Sequence, residues 1–147
     1  MKAVVQRVSK ASVKINGKIH GEISKGLLVL LGVKHGDDDN IVKWFANKLL
    51  NLRVFPDDEG KMNRSVLDID GGILLISNFT IYGDTRKGYR PSFSKAAPPE
   101  QSEPVYQKLL DTLREVSDLK IEAGVFGAMM DVELVNDGPV TVIIEKE

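Results

Sequence analysis

The run GLLVLLGV, residues 26–33, carries no charged or polar side chain from end to end. Such a continuous apolar run suits a strand covered on both faces rather than one lying between core and water. GGILLIS, residues 71–77, is a second segment of the same kind. Ahead of the first, KAVVQRV (2–8) and ASVKI (11–15) read as strands, and Asn16-Gly17 predicts a hairpin turn into KIHGEI (18–23). Behind it, Asp37, Asp38 and Asp39 precede NIVKWFANKLLNL (40–52), where Ile41, Trp44, Phe45, Lys48 and Leu49 fall at helical spacing. Acidic residues there favour a helix start through capping and the macrodipole. PDDEGKMN (56–63) reads as a turn. PPEQSEPVYQKLLDTLREVS (98–117) predicts a second helix with a stripe of Val105, Leu109, Leu110 and Leu113. LKIEAGV (119–125), DVELV (131–135) and VTVII (140–144) predict the closing strands. Many strands and two main helices, unevenly distributed, give an α+β class with a mostly antiparallel, barrel-like sheet.

The chain's 147 residues and 16.2 kDa fit a single domain spanning 1–147, since no repeat or linker interrupts it. Hydrophobic residues make up 42% and charged residues 28%, the balance of a globular protein without a low-complexity tract. No apolar run reaches a membrane span, and the N-terminal segment lacks a secretory apolar core, so a cytoplasmic protein with no membrane partner is expected. The absence of cysteine excludes disulfides, thiolate metal sites and cysteine nucleophiles. A net charge of −1 argues against strong non-specific DNA binding but leaves room for a local basic patch.

The chemistry is first bounded by what is missing. His20 lies in a strand and His35 in a polar loop, neither near a nucleophile-elbow serine, so a Ser-His-Asp hydrolase has little support. HGDDD fits no EF-hand or zinc spacing, and no glycine-rich phosphate loop is present. No metal or cofactor is expected.

Three segments remain. In SNFTIYGD (77–84), a core strand runs straight into Ser77, Asn78 and Thr80, with Phe79 between them, well placed to line a pocket. Capping a turn accounts for Ser77 and Thr80 at least as well on sequence grounds alone. TRKGYRPSFSK (85–95) interleaves Arg86, Lys87, Arg90 and Lys95 with Tyr89 and Phe93 and contains no acid. Cations can neutralise phosphates while rings stack on unpaired bases, which suits single-stranded RNA; a solvated loop beside a core aromatic is the plainer alternative. In NDGPVTV (136–142), Asp-Gly would announce a tight hairpin, yet Pro139 follows at once and removes a backbone donor.

Together these segments resemble the D-aminoacyl-tRNA deacylase (D-tyrosyl-tRNA deacylase) family. QRVSKASV, GLLVLLGV, GKMNRSV, SNFTI, GYRPSFSKAAPP, GVFGAMM and NDGPVT occur in the family's order and approximate spacing, over essentially the whole chain. The family's Ser-Gln-x-Thr signature is matched by Ser77, Asn78 and Thr80, and its Asn-x-Gly-Pro-x-Thr signature by Asn136, Gly138, Pro139 and Thr141. The resemblance implies a homodimer in which a cis Gly-Pro peptide from one subunit enters the other's active site. There its carbonyls would exclude an L side chain while admitting D-amino acids and glycine, and Arg7 would support this wall. The implied reaction is hydrolysis of the ester at the aminoacylated 3′ end of tRNA, a chiral proofreading step in translation. The terminal adenosine 2′-OH would assist, and backbone N–H groups near Phe79 and Thr80 would stabilise the oxyanion. Arg86, Lys87, Tyr89, Arg90 and Phe93 become the expected tRNA contacts. One departure stands out: Asn78 replaces the usual glutamine and is one methylene shorter. Two rival readings are an RNA-binding module without activity and a Thr80-dependent esterase of small molecules.

Overall fold

The computed structural model describes residues 1–147. In chain order the elements are β1 (Lys2–Ile15), β2 (Lys18–Ile23), β3 (Gly26–Gly32), α1 (Asp39–Asn51), β4 (Phe55–Pro56) and β5 (Met62–Arg64). They continue with β6 (Gly72–Ser77), a short 3₁₀ turn (Phe79–Tyr82), α2 (Pro99–Val116), β7 (Lys120–Ala123) and β8 (Asp131–Glu145). The class is α+β, two helices on a barrel-like sheet, as the sequence predicted.

β1 organises the sheet. Its first half pairs antiparallel with β3 and its second half with β2, while β8 runs antiparallel along its other edge from Lys2 to Lys14. β3 then pairs with β6, and β6 with β7, both in parallel. The sheet curls until β2 approaches β7: a Cβ added to Gly21 would lie 3.2 Å from the Ala123 carbonyl oxygen. The barrel is thereby nearly closed.

The apolar run at 26–33 is explained by what covers each side of β3. Leu27, Val29 and Leu31 join Ile73 and Leu75 of β6 beneath the two helices, which contribute Val42, Phe45, Leu49, Leu109 and Leu113. Leu28 turns the other way and packs with Val8, Val13, Ile23, Leu74 and Ile76 inside the barrel. Both faces of the strand are dry, so alternation disappears from its sequence. α1 begins as the aspartates predict, with Asp38 as the cap: its Oδ1 accepts from the Asn40 and Ile41 amides, each at 3.0 Å.

Two features depart from the sequence reading. KAVVQRV and ASVKI form one strand, because exposed Ser9 and Lys10 sit in a bulged part of β1 rather than in a loop. DVELV and VTVII are likewise one strand, β8, interrupted by an insertion that the ladder spans. PDDEGKMN keeps its turn, tied back by the short ladder of β4 with β5.

Candidate active site

β6 ends at Ser77, paired with Leu31, and the Asn78 amide still donates to the Leu31 carbonyl at 2.8 Å. The chain then bends into the 3₁₀ turn, which Gly83 closes by donating its amide to the Thr80 carbonyl at 2.9 Å. The rigid strand end thus delivers Ser77, Asn78 and Phe79 to a cavity of about 720 Å³. Most of its lining is apolar, including Phe93, Tyr106 and Met129, and Ser77, Asn78 and Ser102 of α2 are its small polar groups. Phe79 remains 57% exposed and meets Phe93 edge to face, ring centres 5.2 Å apart.

Thr80 stands apart from this lining. It is exposed, it does not line the cavity, and its hydroxyl donates to Asn78 Oδ1. An amide oxygen is far too weak a base to activate a hydroxyl, so the arrangement is a local turn bond rather than a nucleophile with its base.

Tyr106 of α2 also lines the cavity, its hydroxyl donating 2.9 Å to the Leu75 carbonyl of β6. Burial pushes this phenol up to about 12, since the anion would have to form out of water. Between pH 10 and pH 12 the unfolded chain therefore releases a proton that the folded chain retains, and stability falls as pH rises through that window. Tyr106→Phe removes this slope at the cost of one hydrogen bond, about 1 kcal/mol. Urea unfolding at pH 9 and pH 11 should show the wild-type advantage shrinking at the higher pH; an unchanged difference would mean the phenol titrates normally.

The second signature lies elsewhere on the chain. Gln6 pairs with Thr141 and Val8 with Asn136, so Asp137, Gly138, Pro139 and Val140 all stand opposite Arg7 alone. The Gly138–Pro139 peptide is cis, and Gly138 has φ +129°, a value that L side chains rarely adopt. Arg7 holds this insertion from below. Its Nε donates 3.1 Å to the Asp137 carbonyl and its Nη1 donates 2.8 Å to the Val54 carbonyl, just beyond α1. The rim is tied by side chains: Val140 donates its amide to Asn136 Oδ1, and Asn136 Nδ2 and Gln6 Nε2 both donate to Thr141 Oγ1. Gly138 and Pro139 are exposed and form no part of the cavity wall. Within one chain the two signatures are not brought together.

The basic segment is the exposed loop that follows the 3₁₀ turn, and Phe93 alone of its predicted contacts lines the cavity. Sequence reasoning did not single out Phe126, Met129 and Met130, which line the same cavity as the first signature. Their signal was available in GVFGAMM, whose apolar residues follow neither helical nor strand periodicity.

Comparison with known proteins agrees with this geometry. A family model described as D-Tyr-tRNA(Tyr) deacylase matches residues 4–145. A D-aminoacyl-tRNA deacylase of Thermosipho melanesiensis is 52% identical over 147 residues, covering 100% of this chain and 98% of the relative. One of Brevibacillus brevis is 54% identical over 145 residues, covering 99% of each. Among solved structures, the c-Myc DNA Unwinding Element Binding Protein superposes with a TM-score of 0.95 at 43% identity, covering 100% of this chain and 99% of its own. A structure described as "a probable eukaryotic D-amino acid tRNA deacylase" shares the fold with a TM-score of 0.82 at 14% identity, covering 97% of each chain. The family model and the full-length relatives thus define, in class, an ester hydrolase of translation quality control. The chain belongs to the D-aminoacyl-tRNA deacylase family. No helix is long and apolar enough to cross a membrane.

Proposed function

We propose that this enzyme, a cytoplasmic homodimer, hydrolyses D-aminoacyl and glycyl esters of tRNA and spares L-aminoacyl esters. The observation that carries this reading is the separation of the two signatures within one chain. Ser77, Asn78 and Phe79 line a cavity to which Gly138 and Pro139 contribute nothing, while those two residues stand exposed in the β8 insertion. A second copy supplies what each lacks: the loop of one subunit enters the cavity of the other, and its carbonyls face the α-carbon of the bound aminoacyl group. An L side chain collides with main chain there, whereas a D side chain points away and glycine has nothing to collide. Because exclusion acts on the α-carbon and not on the side chain's identity, activity extends across D-amino acids.

The ester's own ribose 2′-OH helps activate water, and backbone N–H groups at Phe79 and Thr80 receive the developing oxyanion. This agrees with Thr80, whose hydroxyl is engaged with Asn78 and has no base. The shorter Asn78 side chain is compatible with this route, since its amide oxygen bonds within the turn while main chain does the stabilising.

The decisive comparison is initial rates on matched D-Tyr-tRNA, L-Tyr-tRNA and Gly-tRNA, with light scattering to establish the subunit count. Cleavage of the D and glycyl esters by a dimer, with the L ester at least about a hundredfold slower, is expected; two lost orders of magnitude correspond to about 2.7 kcal/mol of exclusion. Equal cleavage of D and L esters would remove the main-chain wall from the account, and turnover of small amino-acid esters lacking ribose would restore the esterase reading.

A further inference from the structure

We infer that Tyr89 is a stacking tip that captures an unpaired base of the tRNA 3′ tail upstream of the terminal adenosine, an inference that rests on the proposed tRNA substrate. Tyr89 has 106% of its reference exposure, so its ring touches essentially nothing of its own chain. A lone exposed aromatic means little by itself, but this one is mounted on a built support.

The loop that carries it is closed at its base by two backbone bonds. The Asp84 amide donates to the Ser92 carbonyl at 2.8 Å, and the Ser92 amide donates to the Asp84 carbonyl at 3.0 Å. Arg86 then clamps the ascending side, with Nε 2.9 Å from Asp84 Oδ1 and Nη2 2.6 Å from Oδ2, while its own amide donates to Oδ1 at 3.0 Å. Gly88, at φ +66°, turns the chain at the tip immediately before Tyr89. The loop's foot rests on the first signature: Phe93 meets the Phe79 ring, and a Cβ added to Gly83 would lie 2.9 Å from the Thr80 carbonyl oxygen and 3.1 Å from Phe93. The loop that carries Tyr89 is therefore anchored at its base beside the cavity, which Phe93 lines.

The charges beside it divide into two kinds. Arg86 is a loop clamp, its guanidinium already paired with Asp84, and that pairing holds the Asp84 carboxyl well below the usual carboxylate range. Lys87 and Arg90 flank the tip, are exposed, and have no acidic partner within salt-bridge distance. A fully exposed ring with an unpaired cation on either side in the chain, on a loop anchored beside a cavity, fits a single strand whose base stacks while its neighbouring phosphates are neutralised. Duplex RNA offers no free base face to the ring, and a protein partner gives no reason for cations on both sides of it.

Direct binding tests this without requiring turnover. The dissociation constant of uncharged tRNA is measured by fluorescence anisotropy, with the 3′ tail intact and with it trimmed, for wild type, Tyr89→Phe, Tyr89→Ala and Lys87→Ala. Tyr89→Ala should weaken binding of intact tRNA about tenfold, Tyr89→Phe should match wild type, and trimming the tail should abolish the difference among the three. Lys87→Ala should weaken binding with a shallower salt dependence than wild type. In kinetics on D-Tyr-tRNA, Tyr89→Ala should raise KM and leave kcat unchanged, with no effect on D-tyrosyl-adenosine, which has no upstream base. Equal affinities of Tyr89→Ala and wild type for intact tRNA, or a loss that persists after trimming, would overturn the inference. A tail-dependent loss in an enzyme that proved inactive on D-Tyr-tRNA would uphold it and overturn the proposed reaction instead.

Discussion

Gly26→Ala is expected to lower the thermal midpoint by about 10 °C or more, which corresponds to about 3–5 kcal/mol for a chain of this size. The new methyl would stand 1.9 Å from the Gly72 carbonyl oxygen and 2.7 Å from the Gly72 amide nitrogen. Those atoms are main chain in the parallel partner strand, paired residue for residue with Gly26, so no side-chain rotation can relieve the contact. Gly72 is itself hemmed in, because a methyl there would meet Ile23 Cγ2 at 2.9 Å. Two glycines face each other where the β2–β3 corner meets β6, and β3 and β6 approach this closely there only because both lack a side chain. Opening this corner would part β3 from β6 and loosen Leu27, Leu28, Ile73 and Leu74, all wholly buried. Gly60→Ala is the control: Gly60 has positive φ but nothing within 4 Å of the added atom, and a cost of about 1 kcal/mol is expected. Circular dichroism melts compare the two directly, and equal shifts would show that the strands part easily at the corner.

The second large effect is expected from the substrate. Replacing the terminal adenosine of D-Tyr-tRNA by its 2′-deoxy form should slow cleavage about a thousandfold, the size of effect an acid or base group supplies when held in place. Thr80→Ala, by contrast, should stay within about tenfold of wild type, because its hydroxyl bonds to Asn78 rather than to a base. Single-turnover rates on the two substrates separate the possibilities cleanly. A thousandfold loss in Thr80→Ala with full activity on the deoxy ester would make Thr80 the nucleophile.

Much of this architecture was written in local pattern. The dry run at 26–33, the aspartates ahead of α1 and the Leu109, Leu110 and Leu113 stripe of α2 each correspond to a core contact or a cap in the structure. What local pattern could not carry was pairing. Nothing in GLLVLLGV tells whether its neighbour runs parallel or antiparallel, and the β3–β6 and β6–β7 pairings are parallel because α1 and α2 make crossovers between them. Bulges defeated the pattern for another reason. Ser9 and Lys10, or Asn136 to Pro139, are polar or breaking residues that normally end a strand, yet a ladder partner on the far side carries the strand through. The first signature was legible as a polar end to an apolar strand. At Phe126, Met129 and Met130 the sequence offered only an apolar segment without periodicity, and that it shares a cavity with Ser77 follows from the tertiary fold.

Arg7 grips the insertion through the Asp137 carbonyl and carboxylate, and Gln6, Asn136 and Thr141 tie its rim, while no side-chain hydrogen bond holds Gly138 or Pro139 itself. On the proposed reading, the part of the enzyme that judges handedness then has no side chain of its own to mutate. Single-residue changes could abolish the filter by dislodging it but could not retune it by degrees, as they can a pocket built from side chains. Selection would meet an all-or-none trait here, and accuracy would drift only through the residues that hold the loop from outside.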